Sequence, residues 1–252
     1  MAHQYIGSTE WARKSNGSLS FKDRITLLKQ SLVPTIVSLA KTNMHMGLGF
    51  EPTFDQVKIP DTAAVKSAMD ELEGCATEAI IQHSLRTYFW GSALGLADKV
   101  AFEPEFLMVG CLFHDMGITA THHGKHENCN CFALEGAQVA AIWAKSFGWP
   151  EQKQILLAEM ISLHLNGPVD ISNGEEAHLL QIGAAYDVIG ARFFDVGPNF
   201  RNAILAKHPR AGLNKELNEF FVKEATMRPN SRTALMRLVG IQLMLKMNPF
   251  SE

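Results

Sequence analysis

Apolar side chains recur every three to four positions along most of this chain, in segments of ten to twenty residues closed off by glycine, proline or polar turns. That period places them on one face of a helix. Short runs alternating in polarity at regular spacing, the mark of a sandwich or barrel, are missing, so the periodicity predicts an all-α fold. No repeat of 20 to 50 residues is visible, which argues against a solenoid. With 46% apolar and 19% charged residues over 252 positions, the chain has the composition of a packed globule. We expect a single helical bundle over 61–252, with 1–60 as an N-terminal extension packing on it.

Predicted helices cover about Ser20 or Lys22 to Lys41, interrupted only by Pro34, then Thr62 to Leu72, Thr77 to Asp98 and Glu105 to Met116. Others cover Phe132 to Phe147, Glu151 to Leu165 and Glu175 to Phe194, followed by Phe200 to Ala206, Leu213 to Ala225 and Ser231 to Met247. Asp61 or Thr62 is the expected N-cap after Pro60. Residues 118–131 have no period and are rich in His, Thr, Asn and Gly, so they read as a loop.

Twenty-three basic against 26 acidic side chains, a net charge of -3, offer no footprint for nucleic acid. The polar N-terminus lacks a secretory pattern and the apolar stretch Leu238 to Leu245 is too short to span a bilayer. Four sparse cysteines, Cys75, Cys111, Cys129 and Cys131, read as reduced thiols, so a cytoplasmic location is expected. Met236, Leu238, Ile241, Leu243, Met244 and Leu245 have core spacing. They can pack inside or against a second subunit, which leaves a homo-oligomer open.

Four residues carry the chemistry expected here. His114-Asp115 ends the apolar run Phe106 to Phe113, which sets an imidazole and a carboxylate at a buried helix end. Taken alone, the pair also fits a hydrogen-bonded core histidine beside a solvated aspartate. His83 shares its face with Ala79, Ile80, Thr87 and Trp90, and so turns inward. Asp187 lies among Gly183, Ala184, Gly190 and Ala191. A carboxylate there is costly to bury unless a cation compensates it, and its small neighbours leave room for a ligand. A plain packing face with Asp187 at its wet margin is the competing reading. Two imidazoles and two carboxylates suit Zn²⁺, Fe²⁺ or Mn²⁺ with positions left for water.

The order His83, His114-Asp115, Asp187 resembles the HD-domain metal-dependent hydrolase superfamily. Within it, His83-Ser84-Leu85-Arg86, Cys111 to Asp115, Leu180 to Gly183, Asp187 to Gly190 and Phe132 to Ala137 resemble cyanamide hydratase and its relatives, over roughly Thr62 to Arg192. The resemblance implies an all-α HD domain and one Zn²⁺ held by His83, His114, Asp115 and Asp187. It also implies a lyase activity in which metal-bound hydroxide, formed because Zn²⁺ lowers the pKa of its water to about 7, adds to the nitrile carbon of cyanamide to give urea. Asp115 would be catalytic as well as a ligand. His164, at a helix end, is a candidate proton donor to the nitrile nitrogen, or else a histidine stabilised by the helix dipole.

Two other enzymes are compatible with the scaffold. A nucleotide phosphohydrolase lacks a Gly-rich phosphate loop here. A dinuclear-iron oxygenase would need further ligands from His122, His123 or His126 together with His164. A catalytically silent ligand-binding module is the third reading. The stretch Thr121 to Cys131 is expected to act as a polar lid over the site. Glu135 could orient His83 or His114, or simply lie at a surface near its helix start. Arg86 could pair with a carboxylate, an exposed cation being the simpler expectation, and Trp90, Phe113, Phe132 and Phe194 are candidates to line the pocket.

Overall fold

A computed structural model describes residues 5–126 and 129–252, and within them the chain is all-α. The helices are α1 (Thr9–Ser15), α2 (Phe21–Asn43), α3 (Ala63–Glu73), α4 (Glu78–Asp98), α5 (Pro104–Phe113) and α6 (Phe132–Ser146). They continue with α7 (Glu151–Leu163), α8 (Glu175–Ile189), α9 (Pro198–Lys207), α10 (Leu213–Met227), α11 (Arg232–Leu238) and α12 (Ile241–Lys246). Among the described residues there is no strand, only an isolated bridge between Phe50 and Val196.

The starts of α3 and α4 follow from their caps. Thr62 accepts the amide of Val65, and Thr77 that of Ile80, each satisfying a backbone donor that the first helical turn leaves unpaired. Pro104 at the first position of α5 has no donor to lose. Helix α4 is buried on nearly every side from Ala79 to Gly95, so it runs through the centre with α5 and α8 packed against it.

The approach of α4 to α8 depends on glycine. A Cβ at Gly183 would collide with the carbonyl oxygen of Thr87, and one at Gly91 would lie 2.6 Å from the carbonyl oxygen of Leu179. Of the small residues around Asp187, Gly183 therefore admits a neighbouring backbone, while Ala184 and Ala191 line the cavity, where the sequence pattern had pointed to space for a ligand.

Several helix ends differ from expectation, α8 among them, which stops at Ile189 and not Phe194 because Gly190 takes the left-handed conformation at φ +66°. Helix α5 stops at Phe113, not Met116, because His114 turns its ring Nδ1 back onto the carbonyl of Cys111 at 2.7 Å and Asp115 leaves helical geometry at φ -107°. The segment expected as one helix over 231–247 is split into α11 and α12 at Val239-Gly240, where Gly240 takes a φ of +96°. No helix among the described residues is long and apolar enough to cross a membrane.

Candidate metal centre

Three of the predicted residues meet at one point. Helix α4 supplies His83, and the C-terminal end of α5 supplies His114 and Asp115. One ligand atom from each lies within 4.8 Å of the others, and all three residues are buried. The two imidazole Nε2 atoms are 3.2 Å apart, and Asp115 Oδ2 is 3.5 Å from that of His83 and 3.4 Å from that of His114.

The tautomers follow from the partners of the opposite ring nitrogens. His83 Nδ1 donates to Asp187 Oδ2 at 2.8 Å, and His114 Nδ1 donates to the carbonyl of Cys111. Both acceptors lack a hydrogen, so each Nδ1 carries the proton and each neutral ring turns an Nε2 lone pair inward. Two lone pairs and a carboxylate then face one another in a buried space. Such an all-acceptor set is unfavourable unless a cation, a proton or a metal ion, sits among them. The mixed nitrogen and oxygen donors suit Zn²⁺, Fe²⁺ or Mn²⁺, and three protein ligands leave room for further ones.

Asp187 is brought to the cluster in a different position from the one expected. It lies behind His83, and its carboxylate is fully engaged: Arg86 donates through Nε to Oδ1 and through Nη2 to Oδ2, both at 2.8 Å, and Trp90 Nε1 donates to Oδ1 at 2.9 Å. Arg210 adds a guanidinium 3.5 Å from Oδ1. Burial pushes the Asp187 pKa up, but Arg86 more than reverses this and holds it well below the usual carboxylate range. The expected fourth ligand therefore fixes the tautomer of a ligand. A histidine that binds a metal is commonly oriented by such a carboxylate.

His164, just past the end of α7, reaches the same point. Its Nε2 is 3.6 Å from Asp115 Oδ1, and its ring stands edge-on to His114 at 5.1 Å. Its Nδ1 donates to the carbonyl of Ile161 at 2.5 Å, and burial, with His114 beside it, pushes its pKa down to about 3. At neutral pH it is an uncharged ring with a free Nε2 lone pair. With Nδ1 given to Ile161, its Nε2 is the ring atom that faces the cluster. His114 is likewise lowered by burial. Burial raises the Asp115 pKa, yet His114, His83 and His164 together leave it lowered.

Sequence reasoning underrated Arg86. It is fully buried and, besides Asp187, it donates to the carbonyls of His208 and Pro209. Its place three residues after His83, one turn along the same helix face, was the available signal. Glu135 orients neither histidine: it accepts the amide of Gly124 and two hydrogen bonds from Arg228. Nor is it at a surface, since it is fully buried. Arg228 also pairs with Glu224, which holds His123 Nε2 at 2.7 Å. His123 is thereby anchored to a charged group of its own. Glu127 and Asn128 of the same stretch lie outside the described residues.

The cluster opens into a cavity of about 890 Å³ lined by His83, His114, Asp115 and His164. Of the four aromatics expected to line it, Phe132 does; Trp90 and Phe113 are fully buried core, and Phe194 is outside the lining, its ring against His45 and Phe193. Helix α2, in a region where the sequence showed no chemistry, contributes Leu27, Leu28 and Ser31 to the wall.

Fold and centre together define an all-α protein with a buried His-His-Asp group able to hold a metal ion. The chain matches no protein-family model and no curated protein.

Proposed function

We propose that the chain is a metal-dependent hydratase of the type its sequence resembles, in which His83, His114 and Asp115 hold one divalent ion and water adds across a carbon-nitrogen multiple bond. The observation that carries the reading is the convergence of two Nε2 lone pairs and a carboxylate at one buried point that opens into the cavity. A divalent ion bound there supplies a Lewis acid and makes water available as hydroxide near neutral pH.

The chain's own residues account for the proton. His164, whose Nε2 faces Asp115 Oδ1 at 3.6 Å, is placed to pass a proton on to the nitrile nitrogen as negative charge develops there. Oxygen goes to carbon, both protons end on nitrogen after tautomerisation, and no redox partner is required. Asp187, held by Arg86 and Trp90, keeps Nδ1 of His83 protonated and its Nε2 facing inward. With cyanamide the product is urea.

The test is metal analysis of the purified protein coupled to a urea assay with cyanamide. About one equivalent of Zn²⁺, and urea formation lost in His83→Ala and Asp115→Ala while circular dichroism stays helical, are expected. An empty site that no added Zn²⁺, Fe²⁺ or Mn²⁺ fills refutes the reading. Two irons per chain with oxygen consumption would replace the hydratase by the oxygenase, and phosphate release from nucleotides by the phosphohydrolase.

A further inference from the structure

We infer that the molecule processed at this centre carries a long aliphatic portion, so that cyanamide is at most a truncated relative of the natural substrate; the inference rests on the proposed role of the His83, His114 and Asp115 cluster. A cavity of about 890 Å³ is near the upper end of what drug-sized ligands occupy. A neutral molecule of three heavy atoms would fill a small corner of it, leaving nothing to hold its carbon against the reacting groups.

The wall describes what fills the remainder. Leu28, Ile118, Leu165, Ile182, Leu217 and Phe221 come from separate parts of the chain and present hydrocarbon to the same space. Of the three cations in the lining, Lys41 is exposed to solvent, and the other two are already engaged. Arg192 donates to Asp98 and Asp195, and Arg232 donates to the carbonyl of Ser162 and the side chain of Asn166. A phosphate or a second carboxylate on the substrate would have to compete with these partners. An alkyl chain meets no such obstacle.

The apolar lining also continues to solvent. Met46 and Leu48 line the cavity and are 55% and 65% exposed. Part of the apolar lining thus reaches the surface, and a hydrocarbon chain can extend towards it from a polar reacting end at the cluster. The substrate class is a straight or lightly branched aliphatic chain ending in a small polar group with a carbon-nitrogen multiple bond.

A homologous series of n-alkyl hydroxamic acids tests this, because the hydroxamate chelates a divalent ion while the chain reports the cavity. Binding to the Zn²⁺-loaded protein is measured by calorimetry from acetohydroxamate to dodecanohydroxamate. Each added methylene that enters the apolar wall should tighten binding about fourfold, the equivalent of burying one CH₂, until the chain outgrows the cavity. Ala185→Trp, which fills part of the lining, should make the gain stop at a shorter chain. Affinities within twofold across the whole series would overturn the aliphatic substrate and leave the metal reading intact. Failure of acetohydroxamate to bind, with no Zn²⁺ retained, would instead overturn the metal reading.

Discussion

Replacing Asp187 by asparagine separates a ligand from a residue that positions one. The carboxylate is fully buried and shared among Arg86, Trp90 and His83, with Arg210 beside it. Removing its charge leaves the Arg86 guanidinium buried and uncompensated, which costs about 3–5 kcal/mol when one partner of a buried pair is lost. For a chain of this length about 2–4 °C of melting temperature accompanies each kcal/mol, so the fall should be about 6–20 °C. The metal effect should be smaller than deletion of a ligand. His83 keeps its Nε2 but loses the anion that fixes its tautomer, and such outer partners are worth about 10–100-fold in affinity. The assay pairs thermal unfolding with Zn²⁺ competition against a chelator of known affinity, using His114→Ala as the ligand-deletion reference. Asp187→Asn should retain one ion per chain with weakened affinity. If it loses the ion as completely as His114→Ala does while melting within about 2 °C of wild type, Asp187 is a direct ligand and the reasoning fails.

Acid should weaken the fold through His208. Burial, with Lys207 and Arg86 nearby, pushes its pKa down to about 4, its Nδ1 lies 2.8 Å from Gln82 Oε1, and its Nε2 has no partner. Because the unfolded chain takes up this proton near pH 6.5, the stabilising contribution is present above that pH and is lost as pH falls through about 4. Melting curves of His208→Gln should show a shallower decline across that window, and a slope equal to wild type would reject the assignment. Gly183→Ala should destabilise by about 1–3 kcal/mol or more by driving a Cβ into the Thr87 carbonyl; chemical denaturation giving an unchanged midpoint would mean that α4 and α8 tolerate separation. Thiols should be quiet in the native state, since Cys111 and Cys131 are fully buried and burial pushes the Cys129 thiol up to about 11. A colourimetric thiol reagent at pH 8 should titrate all four only after unfolding, Cys75 alone reacting earlier, and fast reaction of a second native thiol would contradict this packing.

The helices were legible because their caps and periods are local: Thr62 caps α3 as expected, Thr77, expected as the first residue of its helix, caps α4, and the apolar neighbours of His83 turned it inward. Two aspects of the site were not. A small residue looks the same whether it receives a ligand or another helix, so Gly183 could not reveal that α4 is what approaches it while Ala184 faces the cavity. The role of Asp187 then followed from Arg86, whose guanidinium is also held by the carbonyls of His208 and Pro209, more than a hundred residues away in sequence. The cavity was equally hidden, because its walls are drawn from positions as distant as Leu27 and Met244 and no single segment carries its outline. The end of α5 illustrates the intermediate case. Helical period carried the prediction to Met116, and only the backward hydrogen bond of the His114 ring stops the helix at Phe113.

Helix α2 touches the cavity without contributing to the cluster, which is built from α4, α5 and the end of α7. On the proposed reading, the reacting groups and this part of the cavity wall belong to different stretches of chain. Drift in Leu27, Leu28 or Ser31 can reshape which molecules are admitted while the reacting groups stay as they are, so close relatives of this protein could diverge in diet long before they diverge in reaction.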